Sequence, residues 1–165
     1  ECKLDSKGRI ALPAALRKQL PPETEGRLVV NRGFEQHLVL YPLPEWRRVT
    51  AELDGLNLYV KKHREFVRYF HRGATELELD GSGRLLLPRR LLDYAGILDA
   101  VILLAYAHRI ECWDPTLYDQ LLSNEPADFA SLAEEIMGPA NRPEPDEDRV
   151  PSFRDFPPAP PNSRH

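Results

Sequence analysis

Period-two alternation marks the first strands. Ile10 and Leu12 fall on one face of an extended segment, with Arg9 and Ala11 on the other. ATELEL (74–79) alternates in the same way at Leu77 and Leu79. Two longer runs, LVVNRGFEQHLVLYP (28–42) and VILLAYAHRIECWDP (101–115), each read as a strand, a short turn and a second strand ending in an aromatic residue. Short helices are predicted from Pro13 (PAALRKQL, stopped by Pro21-Pro22) and from Pro88 (PRRLLDYAG, stopped by Gly96), because proline suits a first helical turn and glycine a helix end. Further helical stretches start at Pro44 and at Pro115, the latter with Asp114 as its predicted N-cap. Between 60 and 72, Val60, Phe66, Val67 and Phe70 lie among Lys61, Lys62, Arg64 and Arg68, which predicts an amphipathic basic helix.

This order occurs twice. LDSKGRIALP (4–13) and LDGSGRLLLP (79–88) match at six of ten positions, where average composition predicts roughly one by chance. The offset is 75 residues, and Leu16/Leu91 extends it. Each half reads strand, turn, strand, short helix, strand, turn, strand, helix. The expected organisation is a first repeat (1–59), a basic connecting helix (60–75), a second repeat (76–138) and a Pro-rich tail (139–165). Glu1 aligns with Glu76, so counterparts of residues 72–75 are expected ahead of residue 1. The tail holds 8 of the 16 prolines and is expected to be disordered or polyproline II.

Composition narrows the class. The 165 residues, 42% hydrophobic and 29% charged, suit a globular protein with a real core. No apolar run approaches the roughly 18 residues of a membrane span, and no signal peptide is visible. Cys2 and Cys112 are too few for a disulfide framework or a four-cysteine zinc site, so a reducing cytoplasm is the simplest compartment. Residues 1–75 carry 14 Lys+Arg against 9 Asp+Glu, while residues 76–138 carry 4 against 12. A basic front and an acidic back suit a polyanion partner or front-to-back stacking of copies.

The repeated phrase has a structural reading and a functional one. Asp5 and Asp80 suit a turn because a carboxylate accepts from the amides just ahead. Gly8 and Gly83 can take a positive φ. Arg9 and Arg84, four residues after each Asp, lie within reach of a charged hydrogen bond. Structure does not demand Lys7, which makes it a candidate phosphate or base contact, and Ser82 replaces it in the second copy.

These motifs, DSKGR and DGSGR, each followed by an apolar strand and a proline, resemble the MraZ family, a bacterial member of the AbrB-like swapped-hairpin group. The resemblance covers residues 1 to about 138. It implies an α+β fold in which two tandem AbrB-like repeats interlock into a small double-split β-barrel flanked by short helices. It also implies a cytoplasmic, nucleoid-associated transcriptional regulator of the division and cell-wall gene cluster. That protein would bind double-stranded DNA at short promoter direct repeats as a ring-shaped homo-oligomer. Lys7 and Arg9 are then the main DNA candidates, with Lys3, Arg17 and Lys18 beside them in sequence. Asp5, Gly8, Asp80, Gly83 and Arg84 hold the motifs. The alternative reading is an AbrB-like antitoxin or an interaction module that uses the C-terminal tail, with Val150, Phe153 and Phe156 as its apolar anchors.

Enzymatic readings are weak. Asp5 and Asp80 could suggest a carboxylate dyad, but an Asp with an Arg four residues on is better read as an ion pair. His37, His63, His71, His108 and His165 show no paired metal spacing, and His63 and His71 are expected in solvent. Cys112 reads as an inert buried thiol. GSGR lacks the frame of a phosphate-binding loop. No catalytic residue, metal, cofactor, small-molecule substrate or membrane partner is expected.

Overall fold

A computed structural model describes residues 1–124 and 126–138. The first half runs β1 (Cys2–Lys3), β2 (Arg9–Ala11), α1 (Ala14–Gln19), a 3-10 turn (Pro22–Thr24), β3 (Arg27–Arg32), β4 (Leu38–Pro42), α2 (Leu43–Asp54) and α3 (Lys61–His71). The second runs β5 (Thr75–Glu78), β6 (Arg84–Leu86), α4 (Arg89–Ala95), β7 (Ala100–Tyr106), β8 (Arg109–Trp113), α5 (Pro115–Ser123) and α6 (Phe129–Met137). Glu1–Asn124 form one compact unit, and α6 belongs to a second. The expectation of a disordered tail falls on residues outside those described.

The two halves share their sheets. The larger sheet is antiparallel, with strand order β1-β7-β8-β4-β3-β5. β1 of the first half therefore completes the edge of β7, and β5 of the second completes the edge of β3. The smaller sheet is β2 paired with β6. Its register sets Ile10 opposite Leu85, the residue 75 positions on, with Arg9 opposite Leu86 and Ala11 opposite Arg84. A local two-fold axis thus passes between Ile10 and Leu85. The fold is the expected α+β arrangement of two interlocked repeats, a curled antiparallel half-barrel with short helices around it.

One core serves both halves. Ile10, Leu12, Leu28, Val30, Leu38 and Leu40 pack in a single cluster with Leu85, Leu87, Leu91, Leu92, Val101 and Ile110. β4 is buried along its whole length and β3 over Leu28–Asn31. α2 packs against both strands, which accounts for their near-continuous apolar runs. Cys112 is buried in the same cluster, and burial pushes its thiol pKa far up, as an inert thiol requires.

The helix ends mostly follow the expected signals. Asp114 caps α5 by accepting from the Thr116 and Leu117 amides, each at 3.1 Å, and α4 ends at Gly96. Pro13 and Pro88 differ from expectation. Each sits at the N-cap and the helix begins one residue later. Their ψ angles, 140° and 131°, continue the extended chain, while their carbonyls accept the first helical bonds. α2 likewise begins at Leu43, one residue before Pro44. His71 is exposed as expected. His63 is half-buried instead, with Nδ1 3.0 Å from the Asn57 carbonyl oxygen. His37, only 3% exposed, stacks on Trp113 of the other half, ring centroids 4.2 Å apart. Burial lowers its pKa despite Glu111 and Glu35 at 3.6 Å on either side.

Leu85 lies beside the local axis with no exposed surface. Leu85→Ala is expected to cost about 2–5 kcal/mol of unfolding free energy, and Ile10→Ala to cost a similar amount. Urea denaturation of each variant against the native protein checks both. A loss at only one position would mean that the two halves do not share this core equally.

Candidate nucleic-acid interface

The first turn is built on Asp5. Its Oδ1 accepts from the Lys7 and Arg9 amides at 2.9 and 3.0 Å, and its Oδ2 accepts from Arg9 Nε at 2.6 Å. The backbone closes the loop: the Asp5 amide donates to the Arg9 carbonyl and the Gly8 amide donates to the Asp5 carbonyl. The second turn repeats every bond. Asp80 Oδ1 accepts from the Ser82 and Arg84 amides at 2.8 and 3.0 Å, and Oδ2 accepts from Arg84 Nε at 2.8 Å. Gly8 and Gly83 have φ of 81° and 73°, left-handed values that disfavour a side chain. The amide bonds, above all that from Arg9, hold the Asp5 carboxyl down to about 2, with burial opposing. Asp80 is lowered for the same reason, led by the Arg84 amide.

Each turn is also fastened to the opposite half. Gly83 carbonyl accepts from the Leu12 amide at 3.0 Å, and Gly8 carbonyl accepts from the Leu87 amide at 3.1 Å. The two turns are thus tied reciprocally across the local axis.

The candidate cations fall in different places. Lys7 stands exposed on the first turn. Arg9 is half-buried and pairs with Asp5, so it braces the turn while part of its guanidinium stays open. Lys3 is exposed on β1, opposite Ala100. Lys18 is exposed on α1. Arg17, also exposed on α1, does not belong to the first turn. Its guanidinium lies against Gly83 of the second, where an added Cβ would meet Nη1 at 2.5 Å. Proximity in sequence could not show this, because the contact crosses between halves. The signal available was that Arg17 replaces an apolar residue, Leu92, of the other repeat.

A second cationic surface runs along α3. Lys61, Lys62, Arg64 and Arg68 share it with exposed Phe66 and Tyr69, and Tyr59 just ahead of the helix is 97% exposed. The inner face of α3 is held by Phe70, stacked 5.7 Å from Trp46. Among the described residues no cluster of His, Cys, Asp and Glu could hold a metal ion, and no helix is long and apolar enough to cross a membrane.

The family model described as "MraZ protein, putative antitoxin-like" matches the chain twice, over residues 1–69 and 70–138. A protein of Christiangramia forsetii named "Transcriptional regulator MraZ" is 42% identical over 139 residues, 84% of this chain and 90% of that protein. One of the same name from Cytophaga hutchinsonii is 37% identical over 86% of this chain and 94% of its own. Another, from Natranaerobius thermophilus, is 36% identical over 81% and 91%.

A carboxyl lowered from 3.8 to about 2 adds stability that is complete above the unfolded value and is lost as pH falls through the folded one. The window is therefore roughly pH 4 down to 2. Asp5→Asn keeps an acceptor for the two amides and removes the charge. It is expected to flatten the acid limb of a thermal-unfolding profile in that window. An unchanged acid limb would mean that the charge of Asp5 does not hold the turn.

Proposed function

Because the chain belongs to the MraZ family, we propose that it is a transcriptional regulator that binds double-stranded DNA through its two Asp-x-x-x-Arg turns. The reading is carried by one observation: two rigid, identically bonded turns, tied together across the local axis, offer cations that the fold does not consume. Lys7 is the clearest of them. No catalytic group, metal, cofactor or small-molecule substrate enters the mechanism.

Binding follows from charge and preorganisation. The Asp–Arg bonds and the cross-half amide bonds fix each turn before DNA arrives, so little conformational entropy is lost on contact. Arg9 and Arg84 keep free donors beyond the Nε used by the aspartate, and a guanidinium suits bidentate contact with phosphate. One turn is nevertheless a small footprint. Strongly salt-dependent DNA binders make roughly 6–10 phosphate contacts. Several chains must act together.

The proposal extends to assembly, in line with the family resemblance: a homo-oligomeric ring whose subunits would meet tandem promoter repeats upstream of the division and cell-wall genes, in a cytoplasmic, nucleoid-associated protein. Each contact after the first is then intramolecular. The α3 surface supports this arrangement. Its cations and exposed aromatic rings suit the acidic second half of a neighbouring copy, and a front-to-back contact of that kind closes into a ring if the rotation permits.

Fluorescence anisotropy tests the proposal, using the duplex upstream of the protein's own gene, a scrambled control and two salt concentrations. Preference for the native duplex, with binding that weakens steeply with salt, is expected. Lys7→Ala is expected to weaken binding and to lower the log–log salt slope by about 1 for each turn engaged. Light scattering is expected to give a mass of several chains. A folded, assembled protein with no preference for the native duplex would overturn the proposal.

A further inference from the structure

Each motif arginine pairs with its own aspartate through Nε, so its charge is partly offset. The cation left free on the first turn is Lys7, for which no hydrogen bond or ion pair through its ammonium exists among the described residues. Its equivalent on the second turn is Ser82, so by sequence that turn has lost its free charge. In space the charge is present. The Arg17 guanidinium lies flat against Gly83: a Cβ there would stand 2.5 Å from Nη1, 2.8 Å from Cζ and 3.1 Å from Nε. Arg17 comes from α1 of the opposite half and is exposed, and among the described residues it has no ion pair.

The first turn shows the corresponding arrangement. The equivalent of Arg17 is Leu92, and Leu92 packs on the first turn in the matching way, with Cδ1 3.3 Å from a Cβ built on Gly8. The first turn therefore carries a lysine of its own and a leucine packed over it. The second carries a serine and an arginine packed over it. Two departures from the repeat, at 82 and at 17, meet on one turn, and together they leave one free cation on each turn.

We propose that Arg17 supplies the free cation of the second turn, which makes that turn a DNA-phosphate contact assembled from both halves. The inference rests on the DNA-binding reading above. A guanidinium lying on a glycine has no side chain beneath it to displace its plane, and its donors suit a phosphate better than an ammonium does. Each chain then brings two comparable contact points to the duplex, which the multivalent mode requires.

Three variants of the intact assembly test this, with anisotropy on the native upstream duplex across a salt series. Lys7→Ser gives the first turn the residue of the second. Arg17→Leu gives α1 the residue that packs over the first turn, so turn packing is retained. Arg17→Leu with Ser82→Lys returns a cation to the second turn by the route the first one uses. Unchanged mass by light scattering and unchanged thermal midpoint confirm the fold in each.

Arg17→Leu is expected to weaken binding and to lower the salt slope by about 1 per second turn engaged, and Ser82→Lys is expected to restore most of both. If Lys7→Ser weakens binding while Arg17→Leu does not, the inference fails and the DNA-binding reading stands. A loss in Arg17→Leu that Ser82→Lys leaves unrepaired would also overturn it, since the charge would not be exchangeable between the two positions. If neither Lys7→Ser nor Arg17→Leu changes the binding of a protein that does bind, the inference fails, and DNA contact by the turns would rest on Arg9 and Arg84 alone.

Discussion

Neither half of this chain can satisfy its own strand edges. The sheet of the first half ends at β3, whose outer edge is filled by β5, and that of the second ends at β7, whose outer edge is filled by β1. An open edge presents unpaired amides and carbonyls that other strands can capture. The exchange of β1 and β5 leaves short edges only. The same exchange pairs β2 with β6 and sets Ile10 against Leu85, so the centre of the core forms only when both repeats are present. Duplication within one chain supplies that partner permanently.

The proposed DNA-binding surface depends on the same exchange. Gly8 and Gly83, the residues that let each turn bend back, offer their carbonyls to Leu87 and Leu12 of the opposite half. The turns are thus positioned by the interlock as much as by their own aspartates. With Asp5 and Asp80 ionised through neutral pH, the local and the cross-half bonds act together. Symmetry of the backbone leaves the side chains free to diverge: Lys7 against Ser82, Arg17 against Leu92, and a basic first half against an acidic second. Such divergence makes the two halves unlike, as the proposed head-to-tail assembly requires.

The sequence disclosed what is local. Both turns, the Asp–Arg braces, the proline-led helices, the Asp114 cap and the basic α3 all rest on neighbours within a few residues, where spacing and residue type suffice. The strand partners were less accessible. β1 with β7 and β3 with β5 are contacts between distant segments, and only the resemblance to an interlocking family pointed to them. The spacing of His37 gives it no role, and the structure buries it against Trp113 of the other half. Arg17 was grouped with the first turn because it is near in sequence, yet its side chain lies on the second. In each case the decisive neighbour comes from the other repeat, and one copy read alone cannot reveal it.

The most direct measurement is amide NMR of the intact assembly, with TROSY detection, as its upstream duplex is added. If the two interlocked turns form the contact surface, the largest shifts will fall on residues 6–9 and 81–84 together, with α3 unaffected by DNA. Shifts confined to α3, or to the first turn alone, would contradict an interface built symmetrically from both halves.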